Sequence, residues 1–206
     1  VASEGRVRVP QKKPPCDQGV EAYKMKVLIN ENSLQARISE MALEIDSYYL
    51  QQDWYQNTQE PVIVVGILIG ALFFMADLIR KLSIRVELDF IRVSTYPGKS
   101  TTAQEPKIIT PPTKIIDGAH TLLVDDILDT GNTILAIQKC LWKDWLHPED
   151  MQIATLLRKL GKAPSDITAN FVGFDIPNEF VVGCGLDYNG RYRELPYVAV
   201  WTGGVK

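Results

Sequence analysis

"HTLLVDDILDTGNTI", residues 120–134, reads as a strand that runs through an acidic turn into a helix. The apolar run over 121–124 predicts a strand, and a helical pattern follows over about 131–143. Between them stand Asp125, Asp126 and Asp129, then Thr130-Gly131-Asn132-Thr133. A small, hydroxylated turn that opens a helix is a ready anion site, because its backbone N–H groups are free and the helix dipole favours negative charge. Three carboxylates beside such a site need a purpose of their own. The predicted strand ends immediately before Asp125, which puts that residue at the rim of a sheet, where α/β proteins hold their ligands.

The neighbouring segments alternate in the same way. Residues 62–68, Val-Ile-Val-Val-Gly-Ile-Leu, are a short, wholly apolar run, the mark of a parallel strand covered on both faces. The surrounding uncharged stretch, residues 61–76, is shorter than the roughly 20 residues of a membrane span. A buried strand followed by a helix over 71–81 accounts for it. Leu34, Ile38, Met41, Ala42 and Ile45 recur at helical spacing, so about 33–50 is an amphipathic helix. Ile84, Val86, Leu88 and Phe90 alternate with polar residues, so 83–93 is a half-exposed strand. Further strands are expected at about 151–157, 169–174 and 180–184. Strand–helix alternation of this kind predicts an α/β fold, a doubly wound, mostly parallel sheet flanked by helices.

Composition narrows the function. The chain has 206 residues with 46% apolar and 23% charged, enough for a real core. A net charge of −3 lacks the basic footprint of a nucleic-acid binder. Cys16, Cys140 and Cys184 are odd in number and far apart, as reduced thiols of a cytosolic protein are. His120 and His147 are the only histidines, which argues against a zinc site. Residues 1–24, polar, basic and Pro-rich, predict a poorly ordered extension ahead of a single domain over 25–206. The polar segment 94–106 is long enough to be a lid, a binding loop or a plain connection.

"LLVDDILDTGNTI" resembles the signature of the type I phosphoribosyltransferases, which bind 5-phosphoribosyl-1-diphosphate. Three further stretches, "VGILIGALFFMADLIRKL", "ELDFIRVSTYPGKSTT" and "ANFVGFDIPNEFVVGCGLDYNGRYRELPYVAV", are similar in order and spacing to the hypoxanthine-guanine members of that family. The resemblance covers roughly residues 25–201 and implies a small hood built from N- and C-terminal segments. It implies that the helix start at Asp129, Thr130, Gly131, Asn132 and Thr133 holds the 5′-phosphate. Asp125 and Asp126 then take the ribose diol and Mg²⁺, a hard cation that wants oxygen ligands. Asp129 is placed near N7 of the purine as general base or acid. Asp126 nearby would raise its pKa and helix-end N–H groups would lower it, and the sequence leaves that balance open.

The same resemblance implies roles for more distant residues. Leu68-Ile69-Gly70 stands at the first diphosphate loop, where the peptide bond before the central residue is commonly cis. That central residue is usually Lys or Arg. Ile69 departs from the pattern, and its side chain reads equally well as core. Lys159 is implied to donate to the purine 6-oxo group, Phe180 to stack on the base and Val181 to contact it through the backbone. Asp187 is implied to bind Mg²⁺ through water beside the 2-substituent, and Arg193 to hold diphosphate. Thr95 and Tyr96 begin the implied lid. The expected reaction joins a phosphoribosyl group to N9 of hypoxanthine or guanine in a cytoplasmic homodimer or homotetramer, with small-molecule partners and no membrane or nucleic acid. A rival reading is a regulator that keeps the fold, senses the sugar diphosphate and binds nucleic acid. Retention of Asp129, Lys159, Asp187 and Arg193 together weighs against it.

Overall fold

Residues 62–67 are all buried, and their side chains divide by parity between two cores. Val62 and Val64 join one cluster, while Ile63, Val65 and Ile67 join the other, which is what a strand covered on both faces does. The computed structural model describes residues 25–94, 106–113, 119–140, 150–164 and 167–203. The expected extension over 1–24, and the expected lid residues Thr95 and Tyr96, lie outside the described residues.

The elements in chain order are β1 (Met25–Ile29), α1 (Glu31–Leu50), α2 (Asp53–Thr58), β2 (Val62–Leu68), α3 (Leu72–Ile79) and β3 (Val86–Ser94). They continue with β4 (Lys107–Thr110), β5 (His120–Leu128), α4 (Asn132–Cys140), β6 (Asp150–Lys159), β7 (Phe171–Ile176), β8 (Val181–Val182) and β9 (Val198–Trp201). Six strands form the main sheet in the order β4-β3-β2-β5-β6-β7, parallel except for the antiparallel edge strand β4. Residues of α1 and α3, among them Ile38, Met41, Ile45, Phe74 and Leu78, pack on one face. Ile134 and Ile137 of α4 pack on the other. The doubly wound expectation is met.

Successive strands run outward from β2 in one direction and from β5 in the other, so the order reverses between them. The crevice beyond the carboxyl ends of β2 and β5 is therefore the place where an open α/β sheet accepts a ligand. A second sheet, antiparallel in the order β1-β9-β8, joins the first described residues to the last ones. It matches the expected hood.

α1 begins at Asn30, whose side chain accepts from the Ser33 N–H at 2.9 Å, a standard N-cap that satisfies one of the helix's orphan donors. Its buried stripe of Leu34, Ile38, Met41, Ala42 and Ile45 is the expected one. Asp46, also buried on α1, accepts from the N–H groups of Ser83 and Ile84 and from the Ser83 hydroxyl. Those bonds hold 83–84 as a corner, so β3 begins at Val86 rather than at 83. The strand expected over 180–184 shrinks to Val181–Val182, because Gly183, Cys184 and Gly185 take positive φ and turn the chain. Among the described residues no helix is long and apolar enough to cross a membrane.

Candidate active site

β5 is longer than its apolar core. Its pairing with β2 stops at Gly66↔Val124, but its pairing with β6 runs on to Leu128↔Arg158. Asp125 and Asp126 therefore lie within the strand rather than after it, which corrects the expected boundary. The strand survives there because β6 still supplies hydrogen bonds. On the β2 side the strand runs only two residues past Gly66, to Leu68, before the chain turns, and this opens the crevice.

That turn is Leu68-Ile69-Gly70, with a cis peptide bond between Leu68 and Ile69. Gly70 lies directly against Asp126. A Cβ added at Gly70 would sit 2.0 Å from Asp126 Oδ2 and 2.5 Å from its Cγ, so any other residue would displace the Asp126 carboxylate. A third segment closes from behind. A Cβ at Gly185, which has φ +100°, would sit 1.9 Å from the Gly70 carbonyl oxygen. The turn after β2, the acidic end of β5 and the loop before Asp187 thus converge on one point. Ile69 is 46% exposed, which removes the core reading of its side chain.

Asp125 is buried, and one of its oxygens accepts from the Asp126 N–H at 3.0 Å. Burial and the adjacent Asp126 charge push the Asp125 carboxyl well above the usual carboxylate range. Burial also raises Asp126, against the opposing pull of its bond with Asp125 and of the Arg193 charge. Two adjacent, desolvated acids are a poor arrangement by themselves and a good one for a divalent cation. Among the described residues no group of three acid, His or Cys side chains forms a protein cage. A pair with open positions fits Mg²⁺, which binds through one or two carboxylates and keeps waters or substrate oxygens for the rest. Asp187 is not gathered with that pair. It pairs with Arg193 at 2.6 Å and accepts from the Gly190 N–H at 2.6 Å. Arg193 also donates to the Gly185 carbonyl.

Beyond Leu128 the chain enters the turn that starts α4. Thr130 and Asn132 are exposed, Thr133 is half-buried and Gly131 is buried with φ +77°. A side chain at Gly131 would also meet Ile167 at 2.7 Å, so the turn depends on glycine twice. Asp129 sits at its start and reaches the end of β6. Lys159, which is 9% exposed, donates to Asp129 Oδ2 at 2.8 Å, and Lys162 Nζ lies 3.2 Å from the other oxygen. Burial pushes the Asp129 carboxyl up, but Lys159 and then Lys162 outweigh it and hold the group below its ordinary value. Neither Asp126 nor the helix end decides that balance. Lys162 carried no sequence signal beyond standing three residues after Lys159, across a turn in which Gly161 has φ +72°.

Phe180 is 39% exposed, and its ring meets Tyr188 edge-on at 5.9 Å, with Tyr188 stacked in turn on Trp201 at 4.8 Å. Val181 is buried in the hood, paired with Val200. Burial pushes the Cys184 thiol up to about 12, so it stays protonated and is no nucleophile at neutral pH.

The phosphoribosyl transferase domain family matches residues 33–189, which run from α1 through Asp187 and leave out β1, β9 and Arg193. Hypoxanthine phosphoribosyltransferase of Salmonella typhimurium is 38% identical over 176 residues, 85% of this chain and 94% of that protein. The hypoxanthine-guanine phosphoribosyltransferase of Bacillus subtilis is 39% identical over 175 residues, 85% of this chain and 92% of that one. Among solved structures, a hypoxanthine phosphoribosyltransferase from Staphylococcus aureus superposes with a TM-score of 0.76 at 35% identity, covering 89% of this chain and 95% of that one. These relatives are named as enzymes, which leaves the nucleic-acid regulator without support. With its crevice at the β2–β5 switch and its acidic β5 end, the chain belongs to the phosphoribosyltransferase family, among the hypoxanthine-guanine phosphoribosyltransferases.

Proposed function

We propose that this protein salvages purines by transferring the 5-phosphoribosyl group of 5-phosphoribosyl-1-diphosphate to N9 of hypoxanthine or guanine, releasing diphosphate. The contact between Asp129 and Lys159 at 2.8 Å carries this reading, since it pairs a proton-handling carboxylate with a cationic donor at one crevice. Lys159 is nearly buried, so a purine that presents a 6-oxo group gives it an acceptor, whereas a 6-amino group leaves it unpaired. Asp129, held ionised by its lysines, accepts a hydrogen bond or a proton from the imidazole edge of the base.

The remaining chain supplies positioning. Free N–H groups from Asp129 to Thr133, with the hydroxyls of Thr130 and Thr133, cradle the 5′-phosphate at the start of α4. Asp125 and Asp126 accept from the ribose hydroxyls. Phe180 offers a ring face to the base, held in orientation by Tyr188. Gly70 and Arg193 hold the diphosphate as charge builds on it, which is stabilisation where it acts on the rate. Mg²⁺, held by Asp125 and Asp126 and through water by Asp187, would supply a Lewis acid to the diphosphate oxygens. Thr95 and Tyr96 belong to a lid that shuts water out. The working form is a cytoplasmic homodimer or homotetramer, as the family resemblance implies.

Protein mixed with Mg²⁺, the sugar diphosphate and hypoxanthine or guanine should form the corresponding nucleoside monophosphate, and adenine should serve poorly. No product with either 6-oxopurine refutes the activity. Asp129→Asn should lower kcat by about 10²–10⁴-fold with nucleotide binding much less affected. Unchanged turnover would remove the proton role.

A further inference from the structure

Beside the Leu68–Ile69 turn lies a cleft whose walls include Leu68, Ile69, Arg92, Ser94 and Arg193. Its charge is one-sided. Two arginines line it, and no carboxylate among the described residues does. The two arginines are not equivalent. Arg193 is already engaged by Asp187 at 2.6 Å and by the Gly185 carbonyl, so much of its charge is answered within the protein. Arg92 is exposed, and among the described residues its side chain has no hydrogen bond or ion pair.

The backbone of Arg92 is held on both sides. It stands on β3 opposite Leu68 of β2, at the last pair of that ladder, and opposite Thr110 of β4. Its side chain therefore rises from a fixed point next to the turn, and its charge is not spent elsewhere. Ile69, half-exposed in the same cleft, contributes no charge at all. A guanidinium offers a rigid fork of donors that matches two phosphate oxygens, and charge-assisted bonds of this kind are the strong ones.

We propose that Arg92 is a diphosphate-binding residue of this enzyme, the free cation of a cleft in which the turn at Leu68–Gly70 brings only backbone groups and an apolar side chain. This assignment rests on the phosphoribosyl-transfer reading above. It adds to Arg193 a second cation whose pairing requirement is met only when the anion is present. Substrate binding then satisfies Arg92 without breaking an internal ion pair.

The test is calorimetric binding of inorganic diphosphate with Mg²⁺ to the full chain, alongside steady-state KM values for sugar diphosphate and purine. Arg92→Gln should weaken diphosphate binding about tenfold and raise the sugar-diphosphate KM similarly, while the purine KM stays within twofold. Placing a cation at the neighbouring wall, Ile69→Lys in the Arg92→Gln background, should recover most of the loss. Lys107→Gln, which removes a charge from β4 outside the cleft, should change binding less than twofold. An Arg92→Gln protein that binds diphosphate as the wild type does would overturn the assignment, as would an equal loss in Lys107→Gln, which would mean a diffuse field. Wild-type nucleotide formation is scored separately. If the wild type turns over but Arg92→Gln is indifferent, the Arg92 role alone fails.

Discussion

Replacing Gly70 with alanine should leave a folded protein that has lost most of its activity. The added methyl would sit 2.0, 2.5 and 2.9 Å from Asp126 Oδ2, Cγ and Oδ1. Ordinary contact begins near 3.4 Å, so something must move by about 1.4 Å to relieve the overlap. The turn cannot retreat, because Gly185 already stands so close behind it that even a methyl there would overlap the Gly70 carbonyl at 1.9 Å. The Asp126 carboxylate must therefore give way. Overpacking of this size costs about 1–3 kcal/mol of stability, a fall of several degrees in Tm for a domain of this length. Activity should suffer more. Displacing a positioning group by about 1 Å costs on the order of 10²-fold, here read as a lower kcat/KM for the sugar diphosphate and a higher Mg²⁺ requirement. Gly173→Ala is the matched control. Its methyl would meet the Leu156 carbonyl at 2.4 Å, in the sheet away from the crevice, so it should cost stability without changing activity per folded molecule. Melting curves and Mg²⁺ titrations of both variants decide the matter. A Gly70→Ala enzyme within threefold of wild-type kcat/KM would refute the claim that this contact sets the carboxylate.

Two further predictions concern stability. Asp125 has a raised carboxyl pKa, so the folded state binds its proton more tightly than the unfolded chain does. Its contribution is thus favourable below the unfolded value and lost as pH rises through the folded one. In metal-free protein Asp125→Asn should therefore raise Tm at pH 8, by about 2–4 °C for each kcal/mol relieved. The gain should vanish near pH 4, and Mg²⁺ with ligand should stabilise only the wild type; an Asp125→Asn protein less stable than wild type at pH 8 without metal contradicts the burial argument. Asp46→Ala strands the N–H groups of Ser83 and Ile84 and should cost about 2–4 kcal/mol, seen as a lower urea midpoint at unchanged slope, with kcat per folded molecule preserved.

Where a segment's own chemistry determined its state, the sequence was sufficient. The two-sided burial of β2 and the buried stripe of α1 follow from residues that have few other options. The acidic turn could be read as an anion site from its glycine and hydroxyls, whereas the roles of its carboxylates came from the family resemblance. Elements fixed by partners were harder. Met25–Ile29 carries no clean alternation, with Val27 and Leu28 exposed, and becomes strand β1 only because Val198–Trp201 pairs with it. Asp53–Thr58 is too short for a periodic signal, and Lys107–Thr110 owes its state to the edge of β3. Lys162 and Arg92 were invisible for the same reason. A lone basic residue is normally a solvated charge, and only folding shows that one stands 3.2 Å from Asp129 and the other lines the cleft beside Leu68 and Ile69.

The way the site's charges are paired also bears on where a metal would act. Asp129 comes with Lys159 and Lys162, and Asp187 comes with Arg193, so each of these acids has its own cation within the fold. Asp125 and Asp126 have mainly each other. Arg193 lowers Asp126, but burial outweighs it, and Asp125 gains nothing except a backbone N–H. A buried like-charge pair is costly unless something neutralises it. A divalent ion placed there would relieve two unfavourable burials at once, whereas at Asp129 or Asp187 it would have to displace a bound lysine or arginine. The same logic separates the two kinds of acid in the crevice. Asp129 is held below its ordinary value by its lysines, whereas burial raises both members of the pair that has no internal cation of its own.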